Sequence, residues 1–324
     1  MVNLEYKNLV KPITIKDPPK GLYAEPRMWM EAKDLEGFNA HFSFGFVKKP
    51  GTFHPLEGAI VHPYDEILVF EGTNSKDIMD LSAEITVEMG EEREELVINE
   101  PSCVIVPKGT PHGPVTVKHL HQALSHYTIG LAPAYKATAA PVKAKTTKKA
   151  SKYDHLVKKM WTNFKSMGFA SGGMPGGQGG PGRPVSAAQF GSIRAAAMGV
   201  GPGNGDEVVW LYGDDLEGLD INFTWGLYSQ CGKWHRGGEA HYHPEAEILC
   251  FVGLDPENLD FLGAELELGM GKDYERHIFN KPTVAICPAA FPHLPLITRW
   301  VDKPYGFFVI CLSGEHASPW AEAK

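Results

Sequence analysis

Shifting the 324-residue sequence against itself by 181 positions aligns two halves without a gap from Trp29 to Pro114, and 30 of the 86 aligned pairs are identical. No other feature restricts the fold as tightly, because a repeat of this length is one structural plan built twice. Asp34-Leu35-Glu36-Gly37 returns as Asp215-Leu216-Glu217-Gly218. His54, His62-Pro63, Glu66-Ile67-Leu68, Phe70 and Gly72 return as His235, His243-Pro244, Glu247-Ile248-Leu249, Phe251 and Gly253. Pro107, Pro111-His112 and Pro114 return as Pro288, Pro292-His293 and Pro295. Within each copy the segments are short. Phe42 to Phe46 and Ala83 to Met89 alternate apolar and polar residues as half-buried strands do, and so do Asn222 to Leu227 and Ala264 to Leu268. Glu66 to Phe70, Cys103 to Val106 and Gly306 to Leu312 are brief apolar runs suited to inner strands. Short strands with Gly/Pro turns and no βαβ alternation predict an all-β chain of two tandem jelly-roll barrels.

The repeat also carries candidate chemistry. In an extended chain, side chains of one parity share a face. His241, His243 and Glu247 can therefore enter one cavity, and His293, at the end of an apolar run, can close the set from a neighbouring strand. Imidazole nitrogens with one carboxylate suit a divalent first-row metal. In the first half His62, Glu66 and His112 occupy matching positions, again with 46 residues between the glutamate and the last histidine. Ile60 stands where His241 stands in the second half, so a partly degenerate site is expected there and the working one in the second half. His54 and His235 precede the shared histidine by eight residues and keep its parity, which places them at a cavity rim. A histidine there is a candidate acid–base or substrate clamp, because its pKa lies near neutrality. Arg236, Glu239 and Glu245 are close enough in sequence to meet a substrate. The catalytic candidates are His235 and Glu245.

At these residues the chain resembles the cupin superfamily, whose first motif is G-x5-H-x-H-x3,4-E-x6-G and whose second is G-x5-P-x-G-x2-H-x3-N. The second half fills all four ligand positions of the pattern with His241, His243, Glu247 and His293, with Gly253 and Pro288 in place. It departs at Ala290, where the second motif has a glycine, and lacks the closing Asn. The first half keeps Gly109. The resemblance covers both halves and implies a two-barrel (bicupin) fold and metal ligands, but cupins host many chemistries.

Composition sets further bounds. A net charge of −8 argues against nucleic acid as a partner. Five cysteines (Cys103, Cys231, Cys250, Cys287 and Cys311) are odd in number and mostly lie in apolar runs, which fits reduced thiols in the cytoplasm better than a disulfide framework. No run reaches the length of a membrane span and no apolar leader opens the chain, so a soluble cytoplasmic protein is expected.

In order along the chain, residues 1–28 read as an arm, 29–131 as the first barrel, 132–206 as a Lys- and Gly-rich linker, and 207–324 as the second barrel. Pro133 to Lys159 holds eight lysines against Asp154 alone, a net of +7 without interleaved aromatics, which reads as a solvated linker. Leu156, Met160, Trp161 and Phe164 have helical spacing and predict a short helix over Lys152 to Met167. Gly177, Gly179 and Gly182 form a literal G-x-G-x-x-G, but prolines surround it and no strand leads in, so it is no dinucleotide site. A mobile loop over 168–182, or a lid at one barrel mouth, is the expectation.

Four protein ligands leave coordination positions that suit substrates with adjacent or 1,3-related oxygens. The resemblance implies several enzyme types: oxalate decarboxylases, which usually carry two intact ligand sets; flavonol- or gentisate-type dioxygenases, which need one; and a manganese-dependent cyclohydrolase that opens a dihydrophloroglucinol-type cyclic 1,3-diketone. One intact site weighs against the first and is compatible with the last, which is the reading adopted: a metal-dependent hydrolase of C–C bonds in aromatic degradation, with Mn²⁺ as the favoured metal and Fe²⁺ as the alternative. An O₂-dependent dioxygenase and an effector-binding cupin are the competing expectations. The partner is a small molecule, with neither nucleic acid nor membrane involved, and a homo-oligomer is expected from similar proteins.

Overall fold

The computed structural model describes residues 4–143, 152–160, 164–165, 206–233 and 240–316. They form two compact units: one holds residues 14–160, the other residues 1–13 together with 161–324.

In the first unit the sequence-predicted strands pair antiparallel into a sheet ordered Val157–Lys159, Ser102–Val106, Glu66–Gly72, Leu124–Gly130, His41–Val47, Arg27–Met30, Ile15–Lys16. A second sheet is ordered Thr138–Ala139, Ile60–Val61, His112–Leu120, Ala83–Met89, Glu94–Ile98, and Gly51–His54 also pairs with His112–Leu120. The other unit repeats this plan, with Glu247–Gly253 between Thr283–Cys287 and Tyr305–Cys311, and His293–Val301 between Gly232–Lys233 and Ala264–Met270. These are two jelly-roll barrels of one topology, as the repeat requires.

Two details explain why the repeated residues recur. A Cβ on Gly72 would lie 1.9 Å from the Asp80 carbonyl oxygen, and one on Gly253 would lie 1.8 Å from that of Phe261, so backbone approach excludes any side chain at either position. The alternation of Phe42 to Phe46 predicted one wet face, but only Phe46 of His41–Val47 is partly exposed. The polar member Ser43 is buried because its hydroxyl pairs with that of Thr128 at 3.0 Å. All five cysteines are free thiols, and Cys231 alone among them is exposed.

The arm and the linker differ from expectation. Val10–Pro12 adds a strand to the edge of the second barrel's sheet, with Val10 opposite Ala285. Val157–Lys159 adds one to the equivalent edge of the first barrel, with Val157 opposite Val104. Each of the two strands therefore completes the barrel that its own sequence does not lead into. Tyr6-x-x-Leu9-Val10-Lys11 matches Tyr153-x-x-Leu156-Val157-Lys158, and both leucines are buried. The helix predicted over Lys152 to Met167 is absent from the described part of that segment. Asp154–Leu156 is a single 3-10 turn and Val157–Lys159 is extended, because an open sheet edge satisfies its backbone groups better than one isolated turn of helix does. The lysines of this stretch thus flank a barrel strand as well as a linker. The Gly-rich stretch 168–182 lies outside the described residues. No helix among the described residues is long and apolar enough to cross a membrane.

Candidate metal centre

Glu247 opens the strand Glu247–Gly253 and stands opposite both Cys287 and Cys311, which fixes it in the middle of its sheet. His293 opens the strand His293–Val301, and its backbone exchanges hydrogen bonds of 2.9 and 3.1 Å with His241 in an isolated bridge. The histidine pair is thereby laid across the barrel opposite the glutamate. His243 Nε2 lies 3.1 Å from His241 Nε2 and 3.2 Å from Glu247 Oε1, and His293 Nε2 lies 2.8 Å from the same oxygen. Ligand atoms of His241, His243, Glu247 and His293 all fall within 4.8 Å of one another, and all four residues are buried. The turn of the second motif braces this group. Ala290 N–H donates to the His243 carbonyl at 2.7 Å, just as Gly109 N–H donates to that of His62 at 2.9 Å. Position 290 sits at φ +59, a left-handed conformation, which is why the motif calls for glycine.

The electrostatics suit a cation. Burial alone would raise the Glu247 carboxyl, but His243 and His293 outweigh it and hold it well below the usual carboxylate range. Burial, and after it the Glu247 charge, keeps the Cys287 and Cys311 thiols protonated, so neither competes as a thiolate ligand.

Past His243 a cavity of about 220 Å³ opens, lined by His243, Pro244, Glu245, Cys311, Ser313 and Glu315. Glu245, a sequence candidate, lines the same cavity as the candidate ligand His243. His235, together with Arg236 and Glu239, lies outside the described residues. Glu315 and His316 were not among the sequence candidates. The His316 ring lies 4.5 Å from that of His243 and 4.4 Å from that of Trp210. The segment is pinned by Asn222, whose amide donates to the carbonyls of Ser313 (2.8 Å) and Glu315 (3.0 Å) while its oxygen accepts from Trp210 Nε1 (3.0 Å). Extending the 181-residue shift beyond Pro114 maps His316 onto Tyr135, and that was the available signal.

In the first barrel His62 Nε2 and His112 Nε2 lie 3.2 and 3.3 Å from Glu66 Oε2. The structure adds a residue that the sequence had placed at the rim. His54 is buried, and its ligand atom lies within 4.8 Å of those of Glu66 and His112. Ile60 keeps the backbone position of His241, opposite His112, but its side chain joins an apolar cluster with Leu22, Tyr23 and Trp29, against which Phe53 and Tyr135 pack. Burial raises the Glu66 carboxyl less than His62 and His112 lower it, so it stays well below the usual range. Burial, reinforced by His126, keeps His54 neutral.

No family model matches the chain, and no curated protein does. Solved structures do. Oxalate decarboxylase from Bacillus subtilis at pH 4.6 superposes with a TM-score of 0.55 at 10% identity, covering 96% of this chain and 78% of that one. A deletion mutant of that enzyme gives 0.55 at 10% identity, with 96% and 79% covered. A third structure, from work on the Mn(II) centres of the same enzyme, gives 0.55 at 10% identity, again with 96% and 79% covered. At this identity the likeness concerns the fold alone, a pair of jelly-roll barrels spanning 96% of this chain.

Proposed function

We propose that the chain is a metal-dependent two-barrel cupin enzyme whose second barrel cleaves a C–C bond in a small oxygen-rich substrate, opening a cyclic 1,3-diketone by hydrolysis. His241, His243, Glu247 and His293 would hold the ion, with Mn²⁺ favoured and Fe²⁺ the alternative, since three imidazoles and a carboxylate form a mixed N/O set of that class. When bound, the ion supplies Lewis-acid charge to the substrate oxygens.

The observation that carries this reading is the character of the mouth. Two carboxylates, Glu245 and Glu315, line the cavity, and no lysine or arginine does so among the described residues. Such a mouth disfavours a dianion such as oxalate and admits a neutral, enolisable diketone. The cavity of about 220 Å³ also limits the substrate to a small molecule. The proton inventory fits as well. Hydrolysis adds water across the bond: hydroxide goes to the carbonyl carbon, the C–C bond breaks, and its electron pair takes up a proton at the neighbouring carbon. Glu245 accepts the proton from water and returns one to carbon, with Glu315, which lines the same cavity, able to share the task. His235 keeps its place in this proposal as a second proton carrier.

Decarboxylation of oxalate is the second reading, and the fold likeness to oxalate decarboxylases favours it. The two separate under strict anaerobiosis with Mn²⁺ supplied, using cyclic 1,3-diketones and oxalate as parallel substrates. A ring-opened keto acid from a diketone is expected. Formate and CO₂ from oxalate without diketone turnover would establish the second reading. In a parallel aerobic assay, oxygen consumed in step with product, with no turnover in its absence, would instead identify a dioxygenase.

A further inference from the structure

We propose that the first barrel binds a divalent transition metal of its own through His54, Glu66 and His112, whose ligand atoms lie within 4.8 Å of one another, with His62 joining from its place 3.2 Å from Glu66, a ligand set in which His54 replaces the histidine missing at position 60. The inference stands apart from the reaction assigned to the second barrel.

The strand pairings make the replacement possible. Gly51–His54 and Ile60–Val61 both lie against the strand His112–Leu120, with His54 opposite Val115 and Ile60 opposite His112. Two adjacent stretches of chain thus border the same ligand, and either can deliver an imidazole to it. In this barrel Gly51–His54 does so.

The polar atoms then need a cation. His62 Nδ1–H donates to the Lys136 carbonyl at 2.8 Å, which turns Nε2 toward the glutamate. Nε2 lies 3.2 Å from Glu66 Oε2, and His112 Nε2 lies 3.3 Å from the same oxygen. His62 Nε2, His112 Nε2 and Glu66 Oε2 are all buried without a hydrogen-bond partner among the described residues. His54 is the clearest case. It is 1% exposed, and neither ring nitrogen has a hydrogen-bond partner among the described residues. Its ring is nevertheless held in place, stacked on Tyr23 at 4.6 Å between centroids and 23° between planes. Tyr23 is fixed in turn, its hydroxyl donating to His126 Nε2 at 3.0 Å while His126 Nδ1–H donates to the Val69 carbonyl at 2.8 Å. An imidazole oriented by packing, with both nitrogens uncommitted, is arranged as a metal ligand.

Three imidazoles around one carboxylate select a first-row divalent ion over Mg²⁺ or Ca²⁺. Tyr23 covers His54 and Tyr135 covers His62, both as part of the apolar cluster around Ile60, so the ion exchanges slowly and serves the fold.

The test is metal stoichiometry on the full chain, loaded with Mn²⁺, desalted and analysed for metal. Two ions per chain are expected in the wild type, one in Glu247→Gln, one in His54→Ala, and almost none in the double variant. Each sample is checked by circular dichroism, and if His54→Ala does not fold, His54→Gln tests the same ligand. In Glu247→Gln the remaining Mn²⁺ should show histidine ¹⁴N modulation in its electron spin echo. A single ion in the wild type that Glu247→Gln abolishes, or two ions retained in the folded His54 variant, would overturn the proposal. Diketone turnover is not read in this experiment, so its outcome is separable from that of the second barrel.

Discussion

The two barrels share a plan residue by residue, and they differ where a substrate would enter. In the second, His241 supplies the first imidazole, His316 lies beside His243, and Glu245 and Glu315 line the cavity that His243 borders. In the first, Ile60 and Tyr135 replace His241 and His316, an apolar cluster forms around them, and Thr138–Ala139 adds a strand to Ile60–Val61. The metal-type cluster survives in both. Duplication thus allows a ligand group and an entrance to diverge separately: one barrel keeps an acidic doorway, and the other seals its histidines beneath aromatic rings.

Substitutions at paired positions probe this contrast. The largest effect is expected at the ligand glutamates. Glu247→Gln should lower kcat/KM by at least about a hundredfold, since losing a ligand exceeds the losses seen for groups that merely orient one. Glu66→Gln should cost tenfold or less and show itself chiefly as a lower Tm. Comparable losses of turnover would mean that both barrels take part in the chemistry.

Next comes Glu71, fully buried with neither carboxylate oxygen partnered among the described residues, where the second barrel has Val252. Burial raises its carboxyl well above the usual range. A raised carboxyl favours the protonated form in the folded state. Its contribution is therefore complete below the unfolded value of 4.5 and is lost as pH rises from there toward the folded value. Wild-type stability should decline by up to about 1.4 kcal/mol per pH unit over that interval, and Glu71→Gln should remove that component of the slope. Urea midpoints from pH 5 to pH 8 decide the matter; parallel curves for the two proteins would show that the carboxyl has a partner.

The smallest effect belongs to the turn that braces the second motif. Gly109 holds φ +75, and Ala290 holds φ +59 in its place. Ala290→Gly should stabilise the second barrel by about 1 kcal/mol by relieving the alanine at positive φ. Gly109→Ala should cost a similar amount in the first. A zero change at 290 would mean that glycine's extra freedom in the unfolded chain cancels the relief.

Much of this was legible in the residues. The 181-residue repeat identified two barrels, and parity on an extended chain brought His241, His243 and Glu247 to one side because that rule concerns neighbours along one segment. The misses share a cause. The strand swap was hidden because Tyr6 to Lys11 repeats at a spacing of 147 residues, outside the 181-residue frame. The helix expected around Leu156 lost to a sheet edge that exists only once the barrel has formed. His316 was overlooked because its place beside His243 depends on Asn222 holding a segment 91 residues further along the chain.

By itself, then, the sequence determined the duplicated fold, the ligand types, and Ile60 as the break in the first set, since periodicity and spacing are properties of the chain. Tertiary structure decided that His54 comes within 4.8 Å of the ligand atoms of Glu66 and His112 and that Glu245 and Glu315 line the second barrel's cavity. Those outcomes depend on which strands lie side by side against His112–Leu120 and on which loop covers each opening, and such contacts form only when residues distant in sequence are brought together.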